Sequence, residues 1–202
     1  MQRIRPLLNG LISPFQSSFV PGRHTTDNII VLQEAIHSLH RRKGKVGDMI
    51  VKLDLEKAYD RMSWFFLEDT LHSMNFPSRW IQLIMRCVTS CQMQILWNGA
   101  KSDIFKPTRG LRQGDPLSPY LFVFCMERLG LLIQQQISIG LWKPVRLSRR
   151  GPKVSHLFFA DDILLFGRAT DKQLEVMKSS LEFFCGAKGE CFQVKVVCVT
   201  EC

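Results

Sequence analysis

The chain has 202 residues and carries 27 Lys and Arg against 18 Asp and Glu, a formal net charge of +9. This length suits a single domain with a substantial core. The basic excess indicates a polyanionic partner, either nucleic acid or an acidic membrane surface. The N-terminal region lacks a continuous apolar segment, and the longest central apolar run, 120–126, is too short to cross a bilayer. We therefore expect no secretion signal and no membrane segment.

Seven cysteines, an odd number, indicate reduced thiols in an intracellular compartment, either nuclear or cytoplasmic. Four of them lie near the C-terminus, and they are Cys185, Cys191, Cys198 and Cys202. Their spacing lacks the close pairs of a structural zinc site, and no His lies among them. We expect no zinc there, and the role of this cysteine-rich tail stays open.

In the first half of the chain, helices and strands are predicted to alternate. Thr26 or Asp27 caps a helix that ends in the basic run 41–43. Met49 to Leu53 reads as a short buried strand that ends in Asp54.

A helix from Asp60 or Ser63 must then stop before Pro77. Residues 78–91 predict another helix, with inward positions Trp80, Ile84, Cys87 and Val88. Asn98-Gly99 predicts a tight hairpin turn after it.

The second half combines a glycine-containing loop, a long helix and a hairpin. Residues 109–114 form a polar loop, and Asp115-Pro116 supplies an N-cap and first-turn proline for a helix that reaches about Gln135. After a basic linker, 143–153, the apolar runs 157–159 and 163–166 predict two strands. A helix capped by Thr170 or Asp171 follows, with Leu174, Met177, Leu181 and Phe184 on one face. These elements indicate a mixed α/β layer structure with an antiparallel hairpin.

Asp161 and Asp162 stand between those two strands, at the tip of the predicted hairpin. Adjacent carboxylates in an apolar setting need a compensating cation, although Asp is also common in ordinary surface turns. Neighbouring strand residues point to opposite faces, so the two acids need not have equal roles. Asp54, at the end of another strand, is the candidate partner for a site that holds two magnesium ions.

Four ordered motifs carry a resemblance to a known family. They are 16–23 with 27–29 (Gln-Ser-Ser-Phe-Val-Pro-Gly-Arg and Asp-Asn-Ile), 51–60 around Asp54, 112–119 (Arg-Gln-Gly-Asp-Pro-Leu-Ser-Pro), and 159–162 (Phe-Ala-Asp-Asp). Together they resemble the reverse transcriptase domain of LINE-type, non-LTR retrotransposons, especially those of plants. The resemblance covers roughly residues 1–186.

The resemblance implies an α+β fold, in which a polymerase palm-type antiparallel sheet packs on helices beside a partial fingers region. The fingers remnant would occupy about 1–48, the palm about 49–186, and a divergent tail 187–202. It also implies RNA-directed DNA synthesis on an RNA template from a DNA primer and deoxynucleoside triphosphates, with two Mg²⁺ ions or alternatively Mn²⁺. No membrane partner is implied, and the oligomeric state stays open.

By resemblance, Asp54 and Asp161 bind the metal ions, Asp162 is a less essential catalytic neighbour, and the carbonyl of Leu55 is an additional ligand. Tyr59 would crowd the sugar 2′ position and exclude ribonucleotides, unless it is simply a core tyrosine.

Gln113 and Gly114 match the loop beneath the incoming nucleotide. Asp115 reads more simply as a helix cap than as a catalyst. Three arginines are candidates for contacting the nucleic-acid backbone, with a solvated side chain as the alternative for each: Arg23, Arg109 and Arg112.

Two departures from the family pattern affect the expected activity. The chain begins inside the region that the family calls the fingers, and beyond about Gly186 the expected Ser-Gly turn and lysine-containing strand are replaced. We expect a fragment or a decayed copy, with 196–199 as a further strand. The functional alternatives are a catalytically inactive nucleic-acid-binding relic and, less consistent with Tyr59, an RNA-dependent RNA polymerase.

Overall fold

A computed structural model describes residues 4–41, 47–148, 151–186 and the backbone of 193–201. The helices are α1 (Arg5–Leu11), α2 (Thr25–Arg41), α3 (Ala58–Arg61), α4 (Trp64–Ser73), α5 (Ser78–Thr89), α6 (Ser118–Ser138) and α7 (Asp171–Gly186). The strands are β1 (Asp48–Glu56), β2 (Leu96–Trp97), β3 (Ala100–Lys101), β4 (Val145–Arg146), β5 (Lys153–Val154), β6 (His156–Phe159), β7 (Asp162–Arg168) and β8 (Gln193–Glu201).

The central feature is a four-stranded antiparallel sheet in the order β6-β7-β1-β8. β6 and β7 form the hairpin that the apolar runs predicted, and β1 continues to Glu56 instead of ending at Asp54. The predicted C-terminal strand is confirmed and is longer than 196–199, since β8 pairs with β1 along Gln193–Glu201. This pairing covers the edge of β1 that β7 leaves open.

Alternate residues of β1 belong to two different hydrophobic clusters, one on each face of the sheet. Val51, Leu53 and Leu55 lie in the larger cluster together with apolar residues of α4, α6 and α7. We call this the packed face. Ile50 lies in a smaller cluster that includes residues of α2 and of the β4-β5 hairpin. Farther along this second face Asp54 and Glu56 are exposed, and we call it the open face.

Most helix predictions are confirmed, and their ends differ for local reasons. Ser63 caps α4, because its Oγ accepts the amide N–H of Phe66 at 3.4 Å. The long helix α6 was predicted to start at Pro116, but it begins at Ser118 with Pro119 in its first turn. The Asp115 carboxylate accepts the N–H of Leu117 at 2.8 Å and so shapes the turn before the helix.

Four local predictions were wrong. Trp80, Cys87 and Leu174 were placed inward, yet all three are exposed, Trp80 at 37% and Leu174 at 44%; Ile81, next to Trp80, is the buried residue. The segment 143–153 was read as a linker, but β4 lies within it and pairs with β5, which begins at its last residue, Lys153. Each of these strands has one charged residue and one valine, and only the valines, Val145 and Val154, are buried. Two residues are too few for the alternation to be recognised in the sequence.

Candidate active site

The open face of the sheet brings Asp54 and Asp162 together. They are directly opposite cross-strand partners in the last pair of the β1-β7 ladder. Side chains of directly opposed residues lie on the same face, close to one another. Two like charges in this position destabilise a sheet unless a cation lies between or beside them.

Asp161 lies at the tip of the β6-β7 hairpin, in the two-residue turn that joins Phe159 to Asp162. Ala160, the first turn residue, has a φ of 56°, in the left-handed region that short hairpin turns use. This turn keeps Asp161 outside the ladder, whereas Asp162 belongs to it. The expected inequality of the two acids thus has a structural basis.

Lys52 is a charged residue of this face that was not singled out from the sequence. Its Nζ lies 3.1 Å from the Asp162 Oδ1, and both side chains are nearly half exposed. Lys52 precedes Asp54 by two residues, so strand alternation alone places them on one face. That spacing was the signal that could have found it.

Tyr59 borders the site from the start of α3 and is half-buried. Its ring stacks on Phe122 with the centroids 4.8 Å apart and an interplanar angle of 12°. Burial, and to a smaller extent the negative charge of Asp161, raise the pKa of the Tyr59 phenol to about 12. The phenol therefore stays neutral at physiological pH.

Three hydrogen bonds tie the loop 109–114 to the segment after β1. Leu111 N donates to the Tyr59 carbonyl at 2.8 Å, and Gly110 N donates to the Met62 carbonyl at 2.7 Å. In return Trp64 Nε1 donates to the Gly110 carbonyl at 2.7 Å. The loop that carries Gln113 and Gly114 is therefore fixed to the segment that carries Tyr59.

Gly110 is required where this loop crosses the chain. Its φ is 93°, and a Cβ at this position would lie 2.9 Å from the Asp60 carbonyl oxygen. Gln113 and Gly114 are exposed, and Gly114 also has a positive φ, of 85°. Gly110 and Trp64 are structural residues of this region that the sequence pattern did not reveal.

The structure gives the candidate nucleic-acid-binding arginines different surroundings. The Arg23 guanidinium donates to the backbone carbonyls of Ile12, Ser13 and Gln16, so it stabilises that loop. Arg112 forms an ion pair with Asp115 at 2.7 Å. Arg109 is exposed. Binding of nucleic acid by these residues stays a prediction.

The chemistry of the site suits a hard divalent cation, because its donors are carboxylate oxygens. Within the described residues no group of three or more His, Cys, Asp and Glu is arranged to hold a metal ion. Two carboxylates are enough where water and substrate phosphates complete the coordination. Leu55 is buried beside them in β1, and metal binding by its carbonyl stays a prediction.

Two further expectations concern thiols and membranes. Cys87 and Cys91 are free thiols, and the expected reduced state of the chain stays a prediction. Among the described residues no helix combines the length and the apolarity needed to cross a membrane.

Comparisons with known proteins give the same interpretation as the motifs. The family model for reverse transcriptase (RNA-dependent DNA polymerase) matches residues 1–195. An uncharacterized mitochondrial protein of Arabidopsis thaliana, AtMg01250, is 46% identical over 74 residues, which cover 36% of this chain and 61% of that protein. The Pol polyprotein of the retrotransposable element R2DM from Drosophila melanogaster is 27% identical over 84% of this chain and 15% of its own length.

The transposon TX1 149 kDa protein of Xenopus laevis is 31% identical, over 81% of this chain and 12% of its own length. The chain thus spans less than two thirds of these relatives. Telomerase from Candida tropicalis has a similar fold, with a TM-score of 0.65 and 14% identity over 97% of this chain and 39% of that one. A further telomerase structure from that species, in complex with a fragment of telomeric RNA, also has a TM-score of 0.65. These similarities confirm the α+β palm-type fold and the resemblance to non-LTR retrotransposon proteins, and the chain belongs to the reverse transcriptase family.

Proposed function

We propose that this chain is a fragment of a plant non-LTR retrotransposon reverse transcriptase that contains the catalytic palm and performs RNA-directed DNA synthesis. The observation that carries the proposal is the placement of Asp54 opposite Asp162 on the open face, with Asp161 in the adjoining turn. The substrates are an RNA template, a DNA primer and deoxynucleoside triphosphates.

In this proposal Asp54 and Asp161 hold two Mg²⁺ ions, or Mn²⁺ in their place, and Asp162 has a secondary role because Lys52 already balances its charge. When bound, the cations supply activation of the primer 3′-hydroxyl and stabilisation of the leaving pyrophosphate. The primer 3′-hydroxyl loses its proton to solvent as a bond forms between its oxygen and the α-phosphorus. The bond between the α-phosphorus and the bridging oxygen to the β-phosphate breaks, and pyrophosphate leaves. Asp54 and Asp161 would hold the cations where their positive charge lowers the electrostatic cost of the developing negative charge.

Primer extension on an RNA template tests the proposal. We compare the native chain with Asp54→Asn and Asp161→Asn, and use Asp103→Asn as the matched control because Asp103 is an exposed aspartate of a surface loop. Each site variant should lose at least about a hundredfold in incorporation rate, the scale of losing one preorganised electrostatic group. Asp103→Asn should retain the rate of the native chain. Absence of any aspartate-dependent product from the native chain would contradict the proposed activity.

Tyr59 supplies a test of sugar specificity. Its ring is immobilised by the stack on Phe122, so it is a rigid wall where the family places the sugar 2′ position. Tyr59→Ala should raise the use of ribonucleotides relative to deoxynucleotides, by about tenfold or more, because relief of a steric exclusion is worth roughly 1–3 kcal/mol. Tyr59→Phe retains the wall and should retain the native discrimination. Equal ribonucleotide use by the native chain and by Tyr59→Ala would contradict this role.

A catalytically inactive nucleic-acid-binding role is the second candidate. The ion pair of Lys52 with Asp162 favours it, because that pair already neutralises one of the three aspartates without a metal ion. RNA binding that weakens steeply with salt, is unaffected by Asp54→Asn and is accompanied by no incorporation would support it. Lack of binding at low salt would exclude it.

A further inference from the structure

Residues 12–18, which we call the Gln16 loop, lie along the edge of β6 that faces away from β7. Phe158 N donates to the Phe15 carbonyl at 2.9 Å, and Ser17 N donates to the Phe158 carbonyl at 3.3 Å. Gln16 thereby forms an isolated parallel bridge with Phe158. The hairpin that carries Asp161 and Asp162 is thus supported on its outer edge by a segment almost 150 residues earlier in sequence.

The Gln16 loop is itself held firmly by two side chains that follow it. Arg23 donates to the carbonyls of Gln16 and Ile12, each at 2.8 Å, and also to that of Ser13. Asn28 Nδ2 donates to the carbonyls of Phe15 and Phe158, at 3.1 and 3.2 Å. Asn28 therefore links the loop directly to β6, and Arg23 fixes the shape of the loop. The N-terminal sequence motif thus acts as a support for the hairpin.

The side chain of Gln16 reaches the turn that precedes Asp161. Its Oε1 accepts the amide N–H of Ser18 at 2.9 Å and that of Ala160 at 3.4 Å. The residue is only 1% exposed, so water cannot take over this role freely. Ala160 has a φ of 56°, a conformation that any residue with a Cβ adopts reluctantly. A buried acceptor therefore holds a strained residue next to the candidate metal ligand.

We propose that Gln16 is a positioning residue that fixes the Ala160 turn and thereby sets where the Asp161 carboxylate lies relative to Asp54. This inference rests on the proposed function, because it assigns Gln16 to the same cation site. Gln16 acts through the backbone of Ala160 and touches neither substrate nor metal. Its loss should loosen the turn and weaken divalent-cation binding without unfolding the sheet.

Gln16→Met tests this inference, since it keeps the length and burial of the side chain and removes the acceptor. Ser17→Ala is the matched control, because Ser17 lies in the same loop, is similarly buried, and its Oγ has no hydrogen-bond partner among the described residues. Amide exchange measured by NMR should show lost protection at Ala160 and Ser18 in Gln16→Met, and native protection in Ser17→Ala. Mn²⁺ titration followed by electron paramagnetic resonance should show about fivefold weaker binding in Gln16→Met, the factor that one net hydrogen bond supplies.

Ala160→Gly provides a rescue that a merely structural role would not produce. Glycine adopts the left-handed conformation without strain, so the double variant Gln16→Met/Ala160→Gly should recover most of the lost Mn²⁺ affinity. If Gln16→Met does not fold, amide exchange in the native chain still tests the inference. The Ala160 amide must then exchange more slowly than the amide of Gly99 in the exposed β2-β3 turn. Exchange at the Gly99 rate would overturn the inference, and so would native Mn²⁺ affinity in Gln16→Met.

The same measurements separate this inference from the proposed polymerase activity. Asp161-dependent Mn²⁺ binding that weakens in Gln16→Met supports the positioning role even where no nucleotide is incorporated. Incorporation that depends on Asp161 but is unchanged in rate and Mg²⁺ requirement by Gln16→Met supports the polymerase and overturns the positioning role.

Discussion

The two faces of β1 differ in how exposed their side chains are, although the residues of the two faces alternate along one strand. On the packed face, Val51, Leu53 and Leu55 are at most 3% exposed, whereas Asp54 and Glu56 between and beyond them are exposed. One face contributes core packing, and the other presents charge beyond the residues that pack against α2 and the β4-β5 hairpin. The strand thus supplies stability and the candidate chemistry from separate sets of residues.

The largest change in unfolding free energy is expected from substitutions at two neighbouring positions, one on each face. Leu53 is fully buried, so Leu53→Ala should lower the free energy of unfolding by about 2–5 kcal/mol. Asp54→Asn should leave it unchanged or raise it slightly, because it relieves repulsion from the opposed Asp162. Urea denaturation of both variants measures the difference. A substantial loss of stability in Asp54→Asn would contradict the division of roles.

His156 is a titratable residue on the packed face. It is fully buried between the rings of Phe15 and Phe158, and burial lowers its pKa from 6.5 to about 3. Between these values the unfolded state binds the proton and the folded state does not, so folding stability falls as the pH drops below 6.5. The loss should approach about 2–3 kcal/mol two pH units below 6.5, at about 1.4 kcal/mol per unit.

Glu127 changes the folding stability with pH in the opposite direction to His156. Its contribution must therefore be separated in the same experiment. Its burial raises the pKa of the carboxyl, so the charge it carries at neutral pH opposes folding and that cost disappears as the pH falls. His156→Phe removes the imidazole contribution and leaves that of Glu127. Denaturation at a series of pH values should therefore show a smaller loss of folding stability at acid pH in His156→Phe than in the native chain. Identical pH profiles for both proteins would contradict the buried neutral imidazole.

Gly110→Ala addresses the loop beside the open face. The new Cβ would meet the Asp60 carbonyl oxygen at 2.9 Å, and alanine would be strained at a φ of 93°. We expect a loss of about 1–3 kcal/mol in unfolding free energy, the range for a residue forced into an unfavourable backbone conformation. Gly99→Ala is the matched control for φ alone, because a Cβ there meets no atom of the described part of the chain within 4 Å. Equal losses in the two variants would show that the contact with Asp60 is unimportant.

Much of the fold was predictable because it depends on local periodicity and turn chemistry. The hairpin around Asp161, the cap at Ser63 and the Asn98-Gly99 turn follow from short patterns whose physical meaning does not depend on distant residues. The inward placement of Trp80 failed because helical spacing fixes a face but not which neighbouring element covers it. Tertiary packing made that choice.

The aspartates of the candidate site were predictable from the sequence, but most residues that support them were not. Asp54 and Asp161 stand in recognisable motifs, and their roles stay predictions that the variants above test. The contacts of Gln16 with Ala160 and of Gly110 with Asp60 join segments far apart in sequence, so no local pattern announces them. Lys52 is the exception, since its alternation with Asp54 places both on one face.

Substitution of Lys52 has the smallest expected effect on the unfolding free energy. It therefore tests the charge of the open face without a large change in stability. Both members of its ion pair with Asp162 are more than 40% exposed, so Lys52→Met should change the unfolding free energy by less than about 1 kcal/mol. Removing this positive charge makes the site more negative, and Mn²⁺ should therefore bind a few-fold more tightly, roughly the effect of one unit charge a few ångströms away in water. Lys101→Met, on the exposed β3, is the matched control and should leave the affinity unchanged. Weaker Mn²⁺ binding in Lys52→Met would mean that the ammonium group orients Asp162 for the cation instead of competing with it.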